Sequence, residues 1–153
     1  MLQGSYVALV TPFKNGSIDW TALESLIQFH LDEGTDGILL LGTTAETAGL
    51  ASDEKEALLR FAIQKINRQM PVMIGTGTNN LNQTLINTQR ARELGADSAL
   101  VITPYYIKPT QAGMYEYFKT VAGKVDIPIA IFTVARPTAL YMTTAITVLP
   151  AAD

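Results

Sequence analysis

The sequence contains no cysteine, which excludes a disulfide framework and any thiolate metal site. It has a single histidine, His30, too few imidazoles for a zinc or haem centre. No metal centre held by thiolates or imidazoles is therefore expected. No apolar run reaches the roughly 18 residues that a membrane span needs. The start, Met1-Leu2-Gln3-Gly4, lacks the basic and apolar regions of a secretory signal. Charged residues make up only 16% and the formal net charge is -3, so no basic face exists to draw nucleic acid or an anionic membrane. Linkers, low-complexity segments and charge runs are absent as well. The expectation is a cytoplasmic protein with neither nucleic acid nor membrane as partner.

What is present is apolar and ordered in pattern. Hydrophobic residues are 48% of 153, enough for one domain with a sizeable core. Short runs rich in β-branched residues, Tyr6 to Val10, Gly37 to Leu41, Pro71 to Ile74, Ala99 to Ile102 and Pro128 to Val134, read as strands buried on both faces. Helical stripes lie between them: Leu23, Leu26, Ile27 and Leu31, then Leu58, Leu59, Ala62, Ile63 and Ile66, then Leu81, Leu85, Ile86 and Leu94. Asp19, Ser52 and Asn80 are predicted N-caps, and Gly34 and Gly95 predicted C-terminal stops. A fourth helix is expected from about Gln111 to about Gly123. Strand starts recur about every 30 residues, the length of one βα unit. Long crossovers make the sheet parallel with right-handed connections. A doubly wound open sheet and a (β/α)8 barrel of about 250 residues both fit. The pattern alone favours the open sheet, since five strands cannot close a barrel. Gly75 and Gly77 lack the third glycine of a dinucleotide fingerprint, and no Walker-type phosphate loop occurs.

In parallel α/β folds, sites form at the carboxyl ends of strands. Three segments stand out there: Gly42-Thr43-Thr44-Ala45-Glu46, Thr103-Pro104-Tyr105-Tyr106-Ile107-Lys108-Pro109-Thr110, and Phe132-Thr133-Val134-Ala135-Arg136-Pro137-Thr138. The first offers backbone N–H groups and two hydroxyls suited to a small carboxylate. Read alone, it is more readily a plain turn with threonines capping backbone. The tyrosine pair can hydrogen-bond a substrate or relay a proton, or simply pack at a subunit contact. His30 reads as packing beside the first helix rather than chemistry. Glu46 reads as a carboxylate complementing a helix N-terminus.

Taken together, the segments resemble the dihydrodipicolinate synthase family of pyruvate-dependent aldolases. Gly4 through Phe13 is similar to that family's first strand. Gly42-Thr43-Thr44-Ala45-Glu46 resembles its Gly-Thr-Thr-Gly-Glu motif, with alanine for the second glycine. Pro71 through Asn79 resembles the third strand and its turn. Thr103-Pro104-Tyr105-Tyr106, with Lys108-Pro109-Thr110-Gln111 and Gly113, resembles its most recognisable block. The resemblance spans about residues 3 to 131. It implies a (β/α)8 TIM barrel, of which 1–153 would be a single incomplete domain with about the first five βα units. It implies a lyase of lysine and diaminopimelate biosynthesis that condenses pyruvate with aspartate semialdehyde through a lysine Schiff base. It also implies a homo-oligomer, dimer or tetramer. Thr43 would be the hydroxyl of a proton relay, and Thr44 would help hold the pyruvate carboxylate. Tyr106 would reach into a neighbouring subunit's site. Asn79 and Tyr105 match positions of an effector site for lysine, where Gln83 replaces the family's acid and Lys55 a basic imidazole.

The segment 132–153 departs from the family pattern, Tyr-Asn-Val-Pro-x-Arg-Thr. Phe132 stands at the position of the catalytic tyrosine, and Arg136 lies one residue before the place of the substrate-binding arginine. Lys14, Lys55, Lys65, Lys108, Lys119 and Lys124 all fall in expected helices or turns. The Schiff-base lysine is therefore expected beyond Asp153, and the 153 residues alone are expected to be inactive. A related aldolase such as N-acetylneuraminate lyase, a catalytically inactive half-barrel that binds a ligand or subunit, and a flavodoxin-like binding module are the competing readings.

Overall fold

The computed structural model describes residues 3–133. The chain divides into two compact units, Met1–Ile74 and Gly75–Asp153.

In the first unit, strand β1 (Tyr6–Ala8) pairs in parallel with β4 (Gly37–Leu40), and β4 pairs in parallel with β5 (Val72–Gly75). The ladder continues past β1, where the Leu9 N–H donates to the Leu39 carbonyl at 3.0 Å. Between β1 and β4 lie a two-stranded hairpin, β2 (Phe13–Lys14) with β3 (Ser17–Ile18), and helix α1 (Trp20–Asp32). The hairpin was not expected. Its signal is Asn15-Gly16, both with positive φ (52° and 79°), the conformation that Asn-Gly favours in tight hairpin turns. Lys14 thus lies in a short strand rather than a turn or helix.

Helix α1 starts where its cap requires. The Asp19 carboxylate accepts from the Ala22 N–H at 3.0 Å, and Gly34 leaves the helix at φ 69°. Leu23 and Ile27 are buried. Helix α2 (Ser52–Ile66) buries Leu58, Leu59, Ala62 and Ile66, four members of the stripe read from the sequence. Its cap differs from expectation: Ser52 is already helical and Ala51 is the N-cap. The Glu54 carboxylate accepts the Ala51 N–H at 2.9 Å. The helix therefore secures an otherwise orphaned donor from its third position without a capping side chain. Trp20 of α1 packs tilted on Phe61 of α2, with ring centroids 5.2 Å apart, and Lys65 bonds Glu24 across the same pair.

In the second unit, β6 (Ser98–Ile102) pairs in parallel with β7 (Ile129–Phe132). Helices α3 (Leu81–Leu94) and α4 (Gln111–Lys124) accompany them. Asn80 caps α3 by accepting from the Gln83 N–H at 3.0 Å, and Gly95 ends it with φ 90°. Thr110 caps α4 by accepting from Gly113 N–H at 3.1 Å. Ala99 and Val101 of β6 and Ile129 of β7 form the core with Met114, Tyr117, Phe118 and Val121 of α4.

The buried stripe of α3 corrects the sequence reading. Thr84, Thr88 and Ala91 are buried, while Ile86 is 62% exposed. Small side chains let this helix lie close to its neighbours. The buried hydroxyls are satisfied, since Thr88 donates to Thr76 Oγ1 (2.9 Å) or to the Thr84 carbonyl (2.7 Å). A threonine whose hydroxyl is bonded is then as admissible inside as an aliphatic residue.

Candidate functional site

The segment after β4 is a turn held by threonine hydroxyls. Leu41 leaves the strand with φ 53°, a conformation that side chains rarely adopt and that persists only where surrounding structure imposes it. Gly42 then leads into a single 3-10 turn, Thr43–Ala45. Two side chains pin it from outside. Thr11, buried at the end of the β1 segment, donates from Oγ1 to the Ala45 carbonyl at 2.9 Å. Thr47 donates from Oγ1 to the Gly42 carbonyl at 3.0 Å. The outcome is a rigid loop on which Thr43 and Thr44 are both exposed. The N–H groups of Thr43 and Thr44 open the turn, where donors have no carbonyl within the turn itself.

Glu46 does not sit at the N-terminus of an α-helix. It joins the first 3-10 turn to a second, Thr47–Gly49, with φ 53°, and α2 begins only at Ser52. The dipole role expected for it is withdrawn. His30 does pack as expected, with Nδ1 3.0 Å from Thr35 Oγ1 and its ring edge-on to Phe29.

In the second unit, the segment after β6 carries the two tyrosines. Thr103 is buried, and its N–H donates to the Phe132 carbonyl at 2.9 Å. Tyr106 has φ 69° and is bracketed by a bond from the Ile107 N–H to the Tyr105 carbonyl at 2.8 Å. That closes a γ-turn of the rare, strained kind. Its consequence is that Tyr106 stands 95% exposed, beside Tyr105 at 42% and Ile107 at 47%. Sequence reasoning anticipated an aromatic loop but not this backbone.

Phe132 ends β7, in register with Ile102. Strand alternation assigns Ile129 and Ile131 to the core against α4 and Ala130 and Phe132 to the opposite face. Phe132 is 39% exposed. Arg136 lies outside the described residues.

The turn after β5 was read for Asn79 alone, and most of its chemistry lies elsewhere. Asn79 is exposed. On either side, Thr78 and Asn80 are bonded together, the Asn80 N–H donating to Thr78 Oγ1 at 3.0 Å. Beneath them is Tyr117, a buried tyrosine of α4 that the sequence reading passed over. Its hydroxyl lies 2.7 Å from the Thr78 carbonyl and 2.7 Å from Thr84 Oγ1. Burial pushes the phenol above its ordinary value, outweighing the hydrogen bond from Thr84 that pulls it down; the nearby Tyr105 adds to the rise. The sequence signal for this cluster was threonine at 84 and 88, one helical turn apart on a stripe otherwise apolar.

Among the described residues, no group of three or more His, Asp or Glu side chains could hold a metal ion, and no helix is long and apolar enough to cross a membrane.

Comparison with known proteins places this geometry. A family model described as dihydrodipicolinate synthetase family matches residues 1–149. The 4-hydroxy-tetrahydrodipicolinate synthase of Aquifex aeolicus is 51% identical over 138 residues, covering 90% of this chain and 47% of that protein. The crystal structure of the Aquifex aeolicus dihydrodipicolinate synthase superposes with a TM-score of 0.88 at 49% identity, over 92% of this chain and 48% of that one. A chloride-inhibited dihydrodipicolinate synthase from Acinetobacter baumannii, solved with pyruvate, gives 0.90 at 39% identity, over 93% and 49%. The chain thus spans about half the length of the relatives it matches. The likeness settles the fold: these are five strands of a (β/α)8 TIM barrel, not the open sheet that periodicity alone favours. The chain belongs to the dihydrodipicolinate synthetase family, a family of lyases of lysine and diaminopimelate biosynthesis.

Proposed function

We propose that this chain provides the amino-terminal part of a cytoplasmic lyase that condenses pyruvate with aspartate semialdehyde through a lysine Schiff base. The observation that carries the reading is the pinned turn after β4. Thr11 and Thr47 hold it at 2.9 and 3.0 Å, which presents the Thr43 and Thr44 hydroxyls at a strand's carboxyl end with little freedom left to lose. In this reading Thr44 and the turn's N–H groups hold the pyruvate carboxylate, and Thr43 passes protons during imine formation. Protonation of the imine makes it an electron sink, so the adjacent carbon can attack the aldehyde. That chemistry needs no metal or organic cofactor.

The Schiff-base lysine lies outside these residues. Lys55 and Lys65 are on α2, Lys119 and Lys124 on α4, Lys14 in the hairpin and Lys108 in the loop after β6. None is on a parallel strand. Tyr106 completes the site of a second copy in a dimer or tetramer. Its γ-turn holds the phenol outward, and the exposed run Tyr105-Tyr106-Ile107 is the kind of apolar surface that a partner covers. Asn79 and Tyr105 belong to an effector subsite, Arg136 to substrate binding. Phe132 favours a second reading, a binding subunit without catalysis, because phenylalanine has no proton to transfer.

The test is trapping with labelled pyruvate and borohydride. The 153-residue chain should take up no label. A hybrid in which the carboxyl half of the Aquifex aeolicus relative follows Ile131 should be labelled at one lysine from that half. Thr43→Val in the hybrid should lower turnover about 10²–10⁴-fold, the usual worth of an acid–base group. Labelling of any of the six lysines named here, or an unaffected Thr43→Val hybrid, refutes the assignment.

A further inference from the structure

We propose that Tyr117 and Thr84 are positioning residues that clamp the turn after β5 and so set where Asn79 stands. The inference rests on the reading of Asn79 and Tyr105 as an effector subsite, and it names the device that shapes that subsite.

Counting protons assigns each bond its direction. A carbonyl can only accept, so the Tyr117 hydroxyl donates to the Thr78 carbonyl at 2.7 Å. The phenol has a single proton, so the contact with Thr84 Oγ1 at 2.7 Å must run from the Thr84 hydroxyl to the Tyr117 oxygen. Thr84 Oγ1 in turn accepts the Thr78 N–H at 2.9 Å. The three groups form a closed ring in which every donor is used and each bond polarises the next. Both backbone polar groups of Thr78 are thereby held by side chains from two different helices, α3 and α4. The Thr78 hydroxyl extends the clamp by accepting the Asn80 N–H at 3.0 Å. Asn79 is left exposed between two anchored neighbours. Tyr117 is also within electrostatic reach of Tyr105, the other residue of that subsite. Tyr117 and Thr84 are themselves buried, which makes their role indirect.

Amide exchange measured by NMR on the full chain tests the clamp, with an L-lysine titration beside it. In Tyr117→Phe and Thr84→Val, exchange of the Thr78 amide should quicken about threefold to tenfold, the loss of one net hydrogen bond. The amides of Val101 and Val121 should keep their wild-type rates. Thr84→Ser retains the hydroxyl and should restore slow exchange. Lysine should bind Tyr117→Phe several-fold more weakly than the wild-type chain. An unchanged Thr78 amide overturns the proposal. So does uniform acceleration across β6 and α4, which would mark a loss of overall stability instead. If lysine does not bind the wild-type chain at all, the effector reading falls, and the Thr78 exchange rates alone decide the clamp.

Discussion

Replacing Gly77 by alanine isolates how tightly the turn after β5 is held. A Cβ built at Gly77 would meet the backbone nitrogen of Ile102 and lie 2.9 Å from Val101 Cα and 3.0 Å from its carbonyl carbon. These are backbone atoms of β6, whose ladder to β7 runs from Ala99 to Ile102, so no side chain can swing away. The chain must shift instead. That shift disturbs the two bonds that Thr76 and Gly77 donate to the Leu100 carbonyl, at 3.0 and 3.3 Å. Overpacking of this kind costs about 1–3 kcal/mol, and the weakened pair adds about 1 kcal/mol. The stiffer unfolded chain offsets about 0.5 kcal/mol. The net expectation is a loss of about 1.5–3.5 kcal/mol, read as a lower urea midpoint by far-ultraviolet circular dichroism. Gly123→Ala is the internal control. It lies in α4, where an added Cβ meets nothing within 4 Å, so the same change should stabilise by about 0.5–1 kcal/mol. A Gly77→Ala chain within about 0.5 kcal/mol of wild type would refute the reasoning, as would equal effects at the two sites.

Tyr117 makes stability depend on alkaline pH. Its phenol is raised above the ordinary value of 10.0, so the folded chain holds that proton more tightly than the unfolded one. The contribution is complete below pH 10.0 and is lost as pH rises through the folded value. Urea midpoints should fall more steeply above that pH in the wild type than in Tyr117→Phe; parallel profiles would contradict the burial argument. In the hybrid lyase with its junction moved past Phe132, Phe132→Tyr should raise turnover about 10²–10⁴-fold, and no gain in steady-state assays would remove Phe132 from the relay position. Tyr106→Ala in the hybrid should shift sedimentation toward smaller species, whereas Tyr106→Phe should leave assembly intact. An unaltered Tyr106→Ala profile would count against the subunit contact.

Much of the fold was legible because local chemistry and burial pointed the same way. Asp19 and Asn80 are caps whose side chains reach back to the expected N–H groups, and Gly34 and Gly95 end helices with positive φ. The continuously apolar runs became strands because a parallel sheet buries both faces. Motif order also singled out the threonine turn and the tyrosine loop, and each does follow a strand's carboxyl end. Tertiary structure decided what depends on partners distant in sequence. Ser52 yielded the cap to Ala51 once Glu54 could satisfy the orphaned N–H. Thr84 and Thr88 displaced Ile86 from the buried stripe because Tyr117 and Thr76, 33 and 12 residues away, satisfy their hydroxyls. The left-handed backbones of Leu41 and Tyr106 have no local signature, because nothing in either side chain favours positive φ. A sequence states which groups need partners; only the folded chain determines which partners they find, and that choice shaped the turns that carry Thr43, Asn79 and Tyr106.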